Sequence, residues 1–149
     1  APPTTAEIAK HFSSLTHQQT QDVIDFCENG LIEKFNSLED REDPDFNNPR
    51  VWRLSLFDNK GQETHFFYNV CKGKIERIKF SESSDWTTEV PLTKIYGALK
   101  NGESLTSMYV RIHNPPFEDI IEDPLIRSLF TGVFGAYQQA QLRRIKNQS

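Results

Sequence analysis

The chain has 149 residues and a net charge of −4, and 36% of its residues are hydrophobic. This apolar content is sufficient for a buried core, so the composition excludes an intrinsically disordered chain. The acidic balance argues against a nucleic-acid-binding protein, and the sequence has no apolar run near the roughly 18 residues that cross a bilayer. We therefore expect a single domain over 1–149, with no nucleic-acid partner and no stable membrane insertion.

The cysteines and both ends of the chain bear on its compartment. Cys27 and Cys71 are too few for a disulfide framework and form no metal-binding pattern, so we expect two free thiols and no metal. The N-terminal Ala-Pro-Pro-Thr-Thr has neither the basic nor the apolar part of a secretory signal. The C-terminal residues 146–149 do not form a peroxisomal targeting tripeptide. We expect a cytoplasmic protein without a cofactor.

Residues 1–48 have the pattern of N-terminal helices followed by a charged loop. Thr4 or Thr5 is suited to cap a short helix, and Thr16 with Gln19 has the spacing of a capping box that begins a second one. Gly30 is expected to break or kink this second helix. The acidic, proline-containing segment that follows predicts a solvated loop.

Residues 50–112 are predicted to form a sheet with one crossover helix. Apolar and polar residues alternate over 52–56, Asp58 to Gly61 is a turn signal, and residues 63–71 carry apolar side chains on both faces, as in a central strand. With a third strand over 75–80, these segments form an antiparallel meander. Residues 86–90 predict another strand, residues 91–102 a helix ending in Asn-Gly, and residues 105–112 a last strand.

Residues 123–146 predict one long closing helix. Asp123 can cap its first free amides, and Pro124 suits the first helical position. Its apolar residues recur at the i, i+3, i+4 spacing of a buried face: Leu125, Ile126, Leu129, Phe130, Val133, Phe134 and Tyr137. The predicted fold class is therefore α+β, an antiparallel sheet of about five strands flanked by N-terminal helices and a long C-terminal helix.

The order of these elements resembles the sterol carrier protein type 2 family of lipid-binding domains over about residues 50–145. The resemblance rests on the hairpin at 58–61, on Trp-Thr-Thr-Glu-Val-Pro-Leu-Thr-Lys-Ile-Tyr at 86–96, on the glycine-containing segment 97–104, and on the strand ending at 110–112. The insertion at 114–122 departs from the family, which usually turns tightly there. The resemblance implies an apolar cavity between sheet and helices that holds a fatty acyl chain, a sterol or an isoprenoid or polyketide-like molecule.

The residues that could line such a cavity come from the sheet, the crossover helix and the closing helix. An apolar stripe at helical spacing is more often part of a packed core than of a ligand wall, and the sequence leaves both interpretations open. The small residues Gly132, Gly135 and Ala136 would leave room or would allow close packing. The expected lining residues are Phe57, Phe66, Tyr68, Ile95, Leu99, Met108, Leu129, Phe130, Val133 and Phe134.

An alternative reading is a small isomerase or cyclase that needs no cofactor. Histidine and carboxylate groups can share acid–base work when they lie within hydrogen-bond reach. His113 is at the end of a predicted strand, close to an acidic run that includes Glu118. The candidate catalytic residues are His65, His113, Tyr109, Asp119 and Glu122. The sequence contains none of the usual metal-binding histidine pairs and no nucleophile elbow.

Three further alternatives stay open. A nuclear-transport-factor-like cone also combines helices with a curved sheet and a pocket, although such cones normally end on strands. A helix-grip fold of the birch-allergen kind ends with a long helix over a lipid cavity but needs more strands. The chain could also be a homodimeric interaction protein without a ligand, with residues 138–145 of the closing helix packed against a second subunit.

Overall fold

The computed structural model describes residues 1–38, 48–71, 74–106, 108–115 and 123–131. Within these ranges, threonine side chains cap the first two helices. Thr4 accepts a hydrogen bond from the Glu7 amide at 3.2 Å and begins helix α1 (Thr5–Ala9). Thr16 and Gln19 form the predicted capping box at the start of helix α2 (His17–Asp25), with reciprocal bonds of 3.1 and 2.9 Å.

A π-helical turn at Phe26–Gly30 joins α2 to helix α3 (Leu31–Ser37). A Cβ at Gly30 would lie 3.1 Å from the Phe26 ring, so the missing side chain lets that ring pack closely against the backbone. The predicted irregularity at Gly30 is confirmed as this wide turn.

Five strands form one mixed sheet. They are β1 (Arg50–Phe57), β2 (Glu63–Cys71), β3 (Lys74–Ile78), β4 (Trp86–Pro91) and β5 (Arg111–His113), arranged in the order β3-β2-β1-β4-β5. The predicted antiparallel meander of β1, β2 and β3 is confirmed, and β2 has a neighbour on each side. At the first hairpin the Asp58 carboxylate accepts two backbone amides, and Gly61 has a φ of +83°, which glycine adopts without strain.

The expectation of an entirely antiparallel sheet is wrong at one pair. After β3 the chain crosses to the far side of β1, and β4 runs parallel to β1 with Trp52 opposite Trp86 and Leu54 opposite Thr88. The period of two is the same in parallel and antiparallel strands, so the sequence pattern does not distinguish them. The expected strand over 105–112 is also shorter: a turn at Thr106, whose carbonyl accepts the Tyr109 and Val110 amides, leaves only β5.

The two remaining helices begin at the predicted residues, and the first of them also ends as predicted. Helix α4 (Leu92–Asn101) ends at Gly102, which has a φ of +65°. Asp123 accepts the Ile126 amide at 3.0 Å and begins helix α5 (Pro124–Phe130). The rest of the predicted closing helix, up to residue 146, lies outside the described residues.

The pleat gives the sheet two unlike faces. Helices α2 to α5 cover the first, which we call the packed face; its residues are Trp52, Leu54, Leu56, Phe66, Tyr68, Val70, Ile75, Trp86, Thr88 and Val90. We call the second the polar face; its residues include Arg53, Ser55, Glu63, His65, Phe67, Thr87, Glu89, Arg111 and His113. Helix α1 lies on the polar side, where the Pro3 carbonyl accepts a bond from Arg111.

Candidate functional site: a lateral pocket and the polar face

Packed aromatic rings occupy the space in which the sequence predicted a cavity. The Trp52 ring centroid lies 4.7 Å from that of Phe130 and 5.9 Å from that of Trp86. Phe35, from α3, stacks on Phe130 at 4.8 Å. All four side chains are fully buried. Among the described residues, the space between sheet and helices is therefore filled with side chains.

Hydrogen bonds join this core to the helices. The Trp52 indole N–H donates to the Thr88 hydroxyl at 2.9 Å, and that hydroxyl donates to the Leu129 carbonyl at 2.5 Å. The Tyr68 hydroxyl donates to the Cys27 carbonyl at 2.5 Å. Burial raises the pKa of the Cys27 thiol from 9.0 to about 12 and raises the pKa of Tyr68 far above its ordinary value. These groups therefore stay neutral, as a packed interior requires.

The structure places the expected lining residues in different environments. Phe66, Tyr68, Ile95, Leu129 and Phe130 belong to the packed core. Phe57 is buried on the polar side of β1, whereas Met108 is 62% exposed in the turn before β5. Leu99 is half-buried at the wall of a surface pocket. Val133 and Phe134 lie outside the described residues.

That surface pocket opens beside the core, between the end of α4 and the start of α5. We call it the lateral pocket; its volume is about 400 Å³. Five apolar side chains line it: Ala98, Leu99, Leu105, Pro124 and Leu125. Four charged side chains border the same space: Lys34, Glu103, Asp123 and Arg127. An apolar wall with a few polar groups is the usual composition of a small-molecule site.

The four charged groups are not equivalent. Lys34 Nζ lies 3.2 Å from an Asp123 carboxylate oxygen, so these two charges neutralise each other. Within the part of the chain that the structure describes, neither Glu103 nor Arg127 forms an ion pair. Glu103 and Arg127 therefore border the pocket without an ionic partner among the described residues.

Gly97 makes room for the Glu103 side chain on α4. The Glu103 amide donates to the Gly97 carbonyl at 3.3 Å, which turns the chain back over the last turn of α4. A Cβ at position 97 would lie only 1.9 Å from Glu103 Oε2. The carboxylate thus occupies the volume that any other residue at 97 would fill.

The histidines of the enzyme alternative lie on the polar face, away from this pocket. His65 Nδ1 is 2.8 Å from the Ser55 hydroxyl, and its Nε2 is 3.0 Å from Glu63. His113 Nε2 is 2.8 Å from Glu89. Each histidine therefore has a carboxylate partner within hydrogen-bond reach, but Ser55 is only 1% exposed and is not an accessible nucleophile.

The other candidate catalytic residues do not join these pairs. Tyr109 packs against Phe12 at 5.7 Å and holds the Lys94 ammonium 4.3 Å above its ring. Asp119 and Glu122, like the neighbouring Glu118, lie outside the described residues. In the described ranges, no cluster of three metal-ligating side chains occurs and no helix is long and apolar enough to cross a membrane.

Leu99 was expected to line a cavity and borders the lateral pocket, whereas the charged residues of that pocket were not among the expected site residues. Glu103 follows the Asn-Gly stop of α4, a signal that we assigned only to the end of the helix. Arg127 lies between the apolar positions of α5, where a charged residue usually faces solvent. Neither position predicts a pocket from sequence, because the pocket forms only where the end of α4 meets the start of α5.

Comparisons with known proteins give a fold likeness only. No family model matches the chain, and no curated protein matches it. A solved structure of Sterol Carrier Protein 2 Like 2 from Aedes aegypti is similar at 14% identity and a TM-score of 0.40, covering 62% of this chain and 86% of that chain. The resemblance stated from sequence is thus found again among solved structures.

Two structures of MycE methyltransferase from the mycinamycin biosynthetic pathway, in complex with Mg and SAH, are also similar. Their TM-scores are 0.45 and 0.42, their identities 12% and 13%, and they cover 92% and 86% of this chain. This chain spans only 36% and 41% of those longer chains. At these values the likeness says nothing about activity, so the functional argument rests on the lateral pocket.

Proposed function

We propose that this chain binds an apolar small molecule in the lateral pocket and acts as a carrier or accessory lipid-binding domain. The observation that carries the proposal is a pocket of about 400 Å³ with walls formed by Ala98, Leu99, Leu105, Pro124 and Leu125. A volume of this size lies within the range of about 300–1,000 Å³ typical of small-molecule sites. The sequence resemblance supports a fatty acyl, sterol or isoprenoid-like ligand.

The proposed site replaces most of the residues expected from sequence. Aromatic side chains fill the described interior, whereas the lateral pocket opens to solvent next to it. An open pocket gives a ligand a route of entry that does not require the core to separate. This matters because a protein loses stability when the contacts of a buried side chain are removed, on the order of 2–5 kcal/mol per large side chain. Val133 and Phe134 remain predicted lining residues.

The first test asks whether an apolar molecule binds at all. Native mass spectrometry of the gently purified chain should reveal a co-purifying apolar ligand. Titration with the fluorescent fatty acid cis-parinaric acid and the fluorescent sterol dehydroergosterol should then give saturable binding of at least one probe. The absence of a co-purified ligand together with no uptake of either probe would overturn the proposal.

A matched pair of variants tests whether the lateral pocket is the site. Leu99→Trp fills the pocket from its wall and should weaken probe binding by about tenfold or more, the equivalent of about 1.4 kcal/mol. Leu15→Trp is the control, because Leu15 is also a half-buried leucine packed on the core but borders a different, smaller pocket of about 230 Å³. Equal losses in both variants would place the site elsewhere.

The remaining expectations from sequence stay predictions. Homodimerisation through residues 138–145 concerns a segment outside the described residues. The cytoplasmic location and the single-domain assignment are likewise predictions. The acid–base alternative also stays a prediction, and its candidate groups are the two histidine–glutamate pairs of the polar face.

A further inference from the structure

The sequence contains two Asn-Gly pairs, and the fold places them in different environments. Asn29-Gly30 lies inside the helical segment that joins α2 to α3, whereas Asn101-Gly102 lies at the exposed end of α4. We propose that Asn101 is a site of spontaneous deamidation, and that the modified residue disturbs the segment that lines the lateral pocket. The effect on the pocket rests on the proposed function, whereas the reaction itself does not.

An Asn-Gly pair can lose ammonia without the help of any other protein group. The backbone nitrogen of the glycine attacks the side-chain carbonyl carbon of the asparagine and forms a new N–C bond. The C–N bond of the side-chain amide breaks, and ammonia leaves with the proton of the glycine amide. Water then opens the resulting cyclic imide at either carbonyl, which gives aspartate or isoaspartate. Glycine favours the attack because it has no side chain to hinder it and its backbone adjusts freely.

The last turn of α4 controls access to this reaction at Asn101. The Gly102 amide donates to the Gly97 carbonyl, so its nitrogen can attack only when that bond opens. The opening is local, because α4 ends there and helix ends open more readily than helix interiors. A Cβ built on Gly102 would meet no non-neighbouring atom of the described residues within 4 Å, so the surroundings leave the cyclic imide room to form.

The Asn29-Gly30 pair is protected in two ways. The Asn29 side-chain amide donates to the Asp25 carboxylate at 3.0 Å, which ties the reacting group to the preceding helical turn. Helical structure also continues through Gly30 into α3, where Leu31 and Phe35 are fully buried, so exposing the Gly30 amide requires a break beside the core. The reaction follows the population of the open form, so we expect the pair at the end of α4 to react at least about tenfold faster.

Deamidation changes the chain at the border of the lateral pocket. Residues 102–105 line this pocket and follow Asn101 directly. Isoaspartate adds one backbone carbon immediately before this segment. Either product also adds a negative charge at the C-terminal end of a helix, where the helix dipole disfavours it. The lining segment should then lose its position beside α4, and an apolar ligand should bind more weakly.

Peptide mapping by mass spectrometry tests the reaction. The folded chain is kept at mildly alkaline pH for several weeks, and deamidated product is measured at both asparagines. The product should form at Asn101 at least about tenfold faster than at Asn29. In denaturing urea the two rates should become similar, because neither pair is then held in a helix. Equal rates in the folded chain, faster reaction at Asn29, or reaction at Asn101 only after denaturation would overturn the proposal.

A matched pair of variants tests the effect on the pocket. Asn101→Gln keeps a side-chain amide but reacts far more slowly, because its longer side chain closes a less favourable ring. After ageing, the unsubstituted chain should bind cis-parinaric acid about threefold or more weakly than before, and Asn101→Gln should keep its initial affinity. Asn29→Gln is the control and should age like the unsubstituted chain.

The outcomes separate this proposal from the proposed function. Unchanged affinity in a chain that is fully deamidated at Asn101 would overturn the effect on the pocket while leaving the proposed function intact. Equal losses of affinity in the aged Asn101→Gln and Asn29→Gln variants would also overturn it. If the fresh chain binds neither cis-parinaric acid nor dehydroergosterol, the proposed function and the effect on the pocket fail together, and peptide mapping still decides whether Asn101 reacts.

Discussion

The same five strands present a packed face and a polar face, and the two differ in how deeply their side chains are buried. On the packed face Trp52, Thr88 and Tyr68 are fully buried, and their polar atoms have hydrogen-bond partners. On the polar face the side chains of His65 and His113 are 35% and 58% exposed. Because burial of apolar surface is the main favourable contribution to folding, the packed face should contribute most of the stability.

This difference follows from alternate residues of one strand. In β1, Trp52 and Leu54 point to the helices, whereas Arg53 and Ser55 point to the opposite side. Adjacent residues thus belong to environments with different requirements. Paired substitutions on the two faces compare these environments directly, beginning with the largest expected effect.

The largest difference is expected for two phenylalanines. Phe130→Ala removes a fully buried ring that contacts Phe35, Trp52 and Trp86, and should lower the free energy of unfolding by about 3–5 kcal/mol. Phe80 contacts Phe67 of the polar face and is 69% exposed. Phe80→Ala should therefore change the free energy of unfolding by only about 0.5 kcal/mol. Urea denaturation of both variants measures the contrast. Comparable losses of stability in the two variants would show that the polar face is packed as tightly as the other face.

How far the sequence could predict this arrangement depends on the range of the interaction. Local signals succeeded: the cap at Thr16, the turn at Gly61 and the helix end at Gly102 each depend on residues within a few positions. The pairing of β4 with β1 failed, because it joins residues about thirty positions apart and the alternation of side chains is identical for either direction.

The candidate site was harder to predict for the same reason. Leu99 was expected to line a ligand site, but Glu103 and Arg127 become neighbours of one pocket only when α5 packs beside the end of α4. Hydrophobic spacing also predicted burial of Phe130 without distinguishing a packed ring from a cavity wall. That distinction depends on the volumes of residues from four separate elements, and no local pattern encodes it.

Two adjacent threonines of β4 provide a smaller and more precise comparison. Thr88→Val keeps the shape of the side chain but removes its hydroxyl. The buried Trp52 indole N–H and Leu129 carbonyl then both lose their hydrogen bond to that hydroxyl. We expect a loss of about 1–3 kcal/mol.

The neighbouring Thr87 faces the other side, where its hydroxyl is 3.1 Å from that of the half-buried Ser84. Water can replace that bond, so Thr87→Val should cost at most about 1 kcal/mol. Urea denaturation of the two valine variants under identical conditions gives the difference. A larger loss for Thr87→Val would contradict the assignment of the satisfied hydrogen-bond network to the packed face.

The two cysteines extend the comparison to pH. Burial raises the pKa of Cys27 from 9.0 to about 12, so the folded state holds a proton that the unfolded state releases above about pH 9. Stability from this group is therefore complete below about pH 9 and declines as the pH rises towards 12, by at most about 1.4 kcal/mol per pH unit.

Cys27→Ala should remove that part of the decline, whereas Cys71→Ala, in a half-buried position at the end of β2, should leave it in place. Denaturation curves near pH 8 and pH 10 test the difference. Identical pH dependence in the two alanine variants would show that Cys27 does not carry the effect. The Tyr68 hydroxyl is present in both variants, and burial, the main cause of its raised pKa, acts on it in both.

The smallest effects are expected at the histidine–glutamate pairs of the polar face. The side chain of His65 is 35% exposed and that of His113 is 58% exposed, and ion pairs in such positions contribute at most about 1 kcal/mol. His65→Gln and His113→Gln should therefore change stability little. Because both residues lie across the sheet from the lateral pocket, the two substitutions should also leave the affinity for cis-parinaric acid unchanged.

The acid–base alternative predicts a different combination: loss of turnover of an apolar substrate with binding retained. Glu89→Gln separates the two explanations, since it removes the carboxylate 2.8 Å from His113 Nε2 while keeping the shape of the side chain. If the glutamine variants lower turnover in parallel and binding stays constant, the polar face is a site of chemistry; if neither quantity changes, its pairs serve only to keep an otherwise polar sheet surface hydrogen-bonded.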